Sequence, residues 1–241
     1  MRVVIFHYHL FKNAGTSLDA LFQERFADRW ATREFPPARG ENHRAVTEWV
    51  GSSTGTVCFS SHTAQLPPPT IPGVAVIPAI FVRHPLDRIA SAYAFERQQG
   101  DPGFGSTLAR NTTLRGYIET RLAVNGDRQC RNFHTQKFAQ LFDDGTPELD
   151  RALRALDALP FVGLVEKFAE SLARLQRLLI SEGFEGVDLR PVRRNSSARL
   201  DTLESRLDAM ATEVGRECYE ELERVNGDDL QFYKAARNLL A

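Results

Sequence analysis

Cysteine is scarce in this chain, at three of 241 residues, and Cys58, Cys130 and Cys218 lie far apart with no CxxC or mixed Cys/His spacing. That excludes a disulfide-stapled scaffold and a cysteine-rich metal module, and it fits a reducing compartment. Long apolar runs are missing too. One arginine and then only Val3, Val4, Ile5 and Phe6 precede His7, too little for a signal-peptide core, and no run of 18 apolar residues follows. A cytoplasmic protein with no membrane partner is expected, so the acceptor-like triplets at Asn111 and Asn195 carry no weight as glycosylation sites. Lysine is nearly absent: Lys12, Lys137, Lys167 and Lys234 are the four among 30 basic residues, and the arginines interleave with 31 acidic residues to a net charge of -1. Without a sustained basic face no nucleic-acid partner is expected, and an anionic ligand needs a local site.

What is present is an ordinary globular composition, 42% hydrophobic and 25% charged, with no internal repeat. The length predicts one α/β domain over residues 1–241, large enough to bury a core without staples. Val3 to Phe6 has strand character and gives way to the loop Lys12-Asn13-Ala14-Gly15-Thr16-Ser17, after which Leu18, Leu21, Phe22 and Phe26 recur at helical spacing. Arg33 to Ser53 is mixed and polar. Val57-Cys58-Phe59 reads as a strand ending at Ser60-Ser61-His62, and Leu66 to Pro72 as a proline-rich loop. Val74 to Val82 is a nearly all-apolar strand closed by Arg83-His84-Pro85, with Pro85 opening a helix that carries Ile89, Ala92, Tyr93 and Phe95 or Glu96 on one face. Further helices are expected around Leu114–Leu122, over Glu148–Leu159, and from Phe168 to Leu179 after a strand at Phe161–Val165; the last ~40 residues read as helix pairs split near Gly227. Strands alternating with helices predict a central parallel sheet flanked by helices, with ligands at the carboxyl ends of the strands.

A loop between a strand end and a helix start aims backbone N–H groups and the positive helix terminus at its ligand, for which phosphate is the natural fit. Gly15 permits close approach, Thr16 and Ser17 add hydroxyls and Lys12 adds a charge. Taken alone, the same residues also suit an ordinary βα turn. Lys12 opens this loop, whereas a Walker A loop has its lysine just before the hydroxyl residue. The strand Val74–Val82 ends in Arg83 rather than in a carboxylate that would hold magnesium. Arg83 and Ser91, eight residues apart, can reach one second phosphate, although Arg83 can equally pair with Asp87.

Together, His9-Leu10-Phe11-Lys12-Asn13-Ala14-Gly15-Thr16-Ser17 and Phe81-Val82-Arg83-His84-Pro85-Leu86-Asp87-Arg88-Ile89-Ala90-Ser91-Ala92-Tyr93 resemble the two signatures of sulfotransferases that use 3′-phosphoadenosine 5′-phosphosulfate (PAPS), most closely the carbohydrate and bacterial branch. Weaker likeness runs through Asn132–Gln136, Phe161–Phe168 and Asp229–Tyr233. The resemblance implies a P-loop, nucleotide-kinase-like sulfotransferase fold. It further implies that Lys12, Asn13, Ala14, Gly15, Thr16 and Ser17 bind the 5′-phosphosulfate, and that Arg83 and Ser91 bind the 3′-phosphate. Phe11 departs from the proline usual before the lysine, and His84 from the Asp or Asn of many members. A late loop closes over the 3′-phosphate in relatives, which makes Arg193 and Asn195 candidates, with a solvated turn as the plain alternative.

The activity implied is sulfuryl transfer from PAPS to a hydroxyl of a carbohydrate or small molecule. Lys12 would neutralise the leaving phosphate, and His62 would remove the acceptor proton without a metal ion. His62 follows a strand at the ligand edge of the sheet, and an ordinary imidazole pKa of about 6.5 suits a base near neutrality. Glu34, Glu41 and Glu48 are acidic alternatives. His7 and His9 form an HxH pair with no third ligand nearby in sequence, so packing or substrate contact is expected of them, and Cys58 is expected in the core. Acceptor specificity is expected in loops at Arg29–Ser53 and Gly100–Asn132. An atypical P-loop kinase and a non-catalytic nucleotide-binding module are the competing functions.

Overall fold

In the computed structural model, which describes residues 1–190 and 202–239, strands β1 (Arg2–Tyr8), β2 (Trp30–Thr32), β3 (Cys58–Ser61), β4 (Val74–Val82) and β5 (Val162–Leu164) form one parallel sheet. Their order is β2-β3-β1-β4-β5. Strand side chains alternate between faces, and β1 divides accordingly. Val4, Phe6 and Tyr8 join one apolar cluster, while Ile5 joins another on the opposite face.

The first cluster is covered by α2 (Arg39–Ser52), α6 (Phe133–Ala139), α7 (Glu148–Ala158) and α11 (Gly227–Asn238), through Val46, Val50, Phe138, Leu156 and Phe232. The second is covered by α1 (Gly15–Phe26) and α8 (Phe168–Ser181), through Leu18, Phe22, Leu172, Leu175 and Leu179. A third cluster, away from the sheet, packs α3 (Pro85–Gln98), α4 (Phe104–Asn111) and α5 (Leu114–Ala123) against α9 (Leu203–Val214) and α10 (Arg216–Val225) around Ile89, Tyr117, Ile118, Val214 and Leu222. Among the described residues no helix is long and apolar enough to cross a membrane.

Several elements differ from the sequence expectation. β1 runs past Phe6, because His7 and Tyr8 still pair with Ser60 and Ser61 on one side and with Ala79 and Ile80 on the other. The mixed stretch Arg33–Ser53 contains α2, whose buried positions Asn42, Val46 and Val50 include only two apolar residues. Asn42 is buried because its amide donates to the carbonyls of Pro36 and Thr63 and accepts from the Gln65 N–H, so a polar residue occupies a core position and hides the periodicity. Within Gly100–Asn132 the expected helix is present as α5, and α4 precedes it as a further helix. The C-terminal helices divide at Gly215 as well as Gly227, with Gly215 at φ 82, a conformation easy for glycine.

The chain passes from β1 to the edge strand β2, returns to β3 beside β1, and then crosses to β4 and β5 on the other side of β1. That reversal leaves a crevice outside the carboxyl ends of the central strands, the default ligand position in such sheets. The loops after β1, β3 and β4 all open there.

Candidate functional site

After β1 the backbone passes through Lys12 at φ 63 and Ala14 at φ 60, both in the left-handed region although neither is glycine. Strain of this kind persists only where surrounding structure imposes it, and it concentrates at ligand sites. Helix α1 then starts at Gly15 with no capping side chain and no acidic residue in its first turn. Among the described residues the Gly15 and Thr16 N–H groups have no acceptor, so this helix end presents free donors to an anion. Gly15 is dictated by a neighbour: a Cβ there would lie 2.0 Å from Cδ2 and 2.3 Å from Nε2 of His9.

The crevice is a cleft of about 330 Å³ lined by Lys12, Thr16, Ser17, His62, Arg83 and Ser91, together with His9, Phe95 and others. That volume lies at the low end for small-molecule sites. No carboxylate lines it among the described residues. The Lys12 ammonium sits 4.2 Å over the Phe95 ring, a cation–π contact. Its pKa is lowered by partial burial and then by the charge of Arg83, a repulsion that a bound anion would relieve. Of the two residues expected to extend the packed face of α3, Phe95 is 39% exposed at this rim, while Glu96 turns inward to Tyr117 and Arg121.

Arg83 donates through Nε to Asp87 Oδ2 at 2.6 Å, the pairing the sequence left open. Asp87 also accepts from Arg206 at 2.9 and 3.0 Å. Although burial raises the Asp87 carboxyl pKa, the two guanidinium groups hold it below the ordinary range. Asp87 thus orients Arg83, whose terminal nitrogens keep no hydrogen bond among the described residues.

His62 follows β3 with its side chain 52% exposed, and Glu34 Oε1 lies 2.6 Å from its Nδ1. Glu34 also accepts from the His62 N–H at 3.1 Å and the Thr63 hydroxyl at 2.8 Å, and these bonds outweigh partial burial in holding its pKa low. A carboxylate at Nδ1 fixes the tautomer that leaves Nε2 as proton acceptor. The base candidate and one acidic alternative therefore form one dyad, while Glu41 and Glu48 are exposed on α2.

Asn13 is drawn away from the cleft. Its amide donates to the Phe11 carbonyl at 2.9 Å and accepts from His134 Nε2 at 2.9 Å, and its N–H donates to Leu10 O. Ala14 places its carbonyl toward the Ser17 and Leu18 N–H groups. Arg193 and Asn195 lie outside the described residues. Cys58 is fully buried.

The HxH pair has the third partner that sequence proximity did not supply. Asp19 of α1 accepts from Nδ1 of His7 and from Nδ1 of His9, each at 2.7 Å. These three residues could gather around a cation, with donor atoms within 4.8 Å of one another, but the two hydrogen bonds already satisfy both carboxylate oxygens. Burial raises the Asp19 pKa, and the imidazole hydrogen bonds more than offset it, leaving the carboxyl far below its usual range.

No protein-family model matches the chain. Its sequence is 38% identical over 244 residues to an uncharacterized protein of Archaeoglobus fulgidus, a match that covers 97% of this chain and 95% of that protein. The chain belongs to the family of that archaeal protein.

Sequence reasoning missed Asp19 and the buried contacts that join Asn13, expected at the ligand, to His134 and through it to Asp229. Asp19 left a signal: it is an acidic residue one position from Leu18 and three from Phe22, on the face that α1 turns to the sheet. The segments holding His134 and Asp229 carried only a weak family likeness, and their pairing with Asn13 left no signal, since the members are up to 121 residues apart.

Proposed function

We propose that this protein is a sulfotransferase of the P-loop, nucleotide-kinase-like form that moves a sulfuryl group from PAPS to a hydroxyl of a carbohydrate or small-molecule acceptor. The observation that carries this reading is the charge of the cleft: Lys12 and Arg83 with two imidazoles, and no carboxylate among the described residues that line it. Such a lining suits a donor with anions at two positions and no bridging magnesium. An ATP-dependent kinase would need an acidic metal ligand beside the phosphate loop, which makes that reading weaker.

In the proposed reaction the acceptor oxygen attacks sulfur, the bond between sulfur and the bridging oxygen breaks, and its electrons stay on the 5′-phosphate of adenosine 3′,5′-bisphosphate. His62 Nε2 receives the hydroxyl proton, and Glu34 stabilises the resulting imidazolium through Nδ1. Lys12 and the α1 N-terminus face the charge that develops on the leaving phosphate. Arg83, oriented by Asp87, and Ser91 hold the 3′-phosphate.

The test is thermal stabilisation by adenosine 3′,5′-bisphosphate, set against AMP, ADP, and ATP with magnesium, for wild type and Arg83→Ala. A rise in Tm selective for the bisphosphate and lost in the variant supports the reading. A magnesium-dependent rise with ATP alone overturns it in favour of a kinase.

A further inference from the structure

His9 is the imidazole of the cleft for which the proposed transfer has no use, yet it is the most tightly placed. Its ring packs against that of His62 at 3.9 Å between centroids, tilted by 31°, and stacks on that of His7 at 5.2 Å. Nδ1 is tied to Asp19 at 2.7 Å. The Cδ2–Nε2 edge presses against Gly15, where the α1 donors begin. Among the described residues Nε2 makes no hydrogen bond. The free nitrogen of His9 therefore sits beside the unpaired N–H groups of the loop.

A bare Nε2 turns a lone pair toward an incoming phosphate, which repels it, whereas a protonated Nε2 donates to it. We infer that His9 is an anion-binding residue of the phosphate loop, taking up a proton at Nε2 as the phosphate or phosphosulfate enters, with the Asp19 carboxylate as its counter-charge. This rests on the reading that the loop binds a nucleotide anion.

The surroundings set the balance. Lys12 and Arg83 across the cleft and His62 on the ring face oppose a further positive charge, Glu34 lies behind His62, and Asp19 alone favours that charge directly. A bound anion screens the two cations and supplies a second acceptor, so the imidazolium becomes sandwiched between carboxylate and ligand. His7 shares Asp19 but cannot play this part. It is 1% exposed, and burial lowers its pKa despite the hydrogen bond to Asp19.

The experiment is calorimetric titration of adenosine 3′,5′-bisphosphate into the protein at one pH in buffers of different ionisation enthalpy, which counts protons exchanged on binding. Comparison between variants cancels protons that the ligand itself gains or loses. His9→Gln keeps a donor near the Nε2 position without titrating, so it should bind with wild-type affinity within a few-fold while the proton uptake disappears. His9→Ala should lose about tenfold in affinity, the scale of one charge-assisted hydrogen bond. Asp19→Asn keeps the ring but removes its counter-charge, should reduce uptake, and decides the matter if the His9 variants do not fold. His62→Asn should leave the count unchanged. An unchanged count in His9→Gln, or a count lost in His62→Asn instead, overturns this inference and leaves the nucleotide site standing. Absence of bisphosphate binding by the wild-type protein overturns both.

Discussion

Nε2 of His134 lies 2.9 Å from the amide oxygen of Asn13, so a side chain 121 positions later in the chain braces the phosphate loop from beneath. His134 is itself held by Asp229, which accepts from its Nδ1 at 3.2 Å and its backbone N–H at 3.0 Å, and also from the N–H and hydroxyl of Thr135 at 2.7 Å. All of these groups are buried. The loop's strained backbone is thus fastened to α6 and α11, elements that do not reach the cleft.

His134→Ala should therefore act at a distance. It leaves the Asn13 oxygen without its partner and removes one of the two donors to Asp229 Oδ2, which keeps the backbone N–H of residue 134, at a cost of about 1–3 kcal/mol for an unsatisfied buried polar group. Equilibrium denaturation should show that loss, and bisphosphate affinity should fall with it although His134 touches no ligand. An unchanged affinity at reduced stability would separate the brace from the loop's geometry.

Gly15→Ala should be disruptive for a reason unrelated to helix propensity. The new methyl would lie 2.0 Å from the His9 ring, and overpacking of this kind costs about 1–3 kcal/mol. The double variant His9→Ala/Gly15→Ala should recover much of the Tm lost in Gly15→Ala. Additive losses in that double-mutant cycle would show that the clash is not the cause.

Glu34→Gln should lower kcat more than KM once an acceptor is in hand. The amide can no longer compensate charge on the His62 ring, while nucleotide contacts on the far wall of the cleft are untouched. His62→Asn should be more severe, and the two changes combined should cost little more than His62→Asn alone, because residues acting as a unit are non-additive.

Acid sensitivity should have a component from His84. This residue lies edge-on to Tyr233 at 5.2 Å with Nδ1 buried and unpartnered, and burial lowers its pKa to about 4. The unfolded chain binds a proton there at about pH 6.5 and the folded protein does not. The stability contributed is present above pH 6.5 and is lost as pH falls toward 4, by at most about 3 kcal/mol. His7 has a lowered pKa of the same sign. Denaturant midpoints measured from pH 7 to 4.5 should therefore fall less steeply in His84→Gln than in wild type, without becoming flat.

The amino-acid sequence by itself determined the parallel α/β class, the strand at Val74–Val82 and the Pro85 helix start, because apolar runs, helical spacing and a proline at a first turn are local signals. It also determined which residue types stand at the ends of β1, β3 and β4, and hence that Lys12, His62 and Arg83 were candidates. What each candidate faces was decided only by tertiary structure. A hydrogen-bond partner carries no periodicity, so nothing in the chain's pattern joins Glu34 to His62, Asp19 to His9 or His134 to Asn13. The helix α2 was hidden for a related reason: a buried, fully bonded Asn42 reads as surface until its partners are in place. The sheet brings three distant loops to one edge, and there the long-range polar pairs, rather than the loop residues alone, set the shape and charge of the cleft.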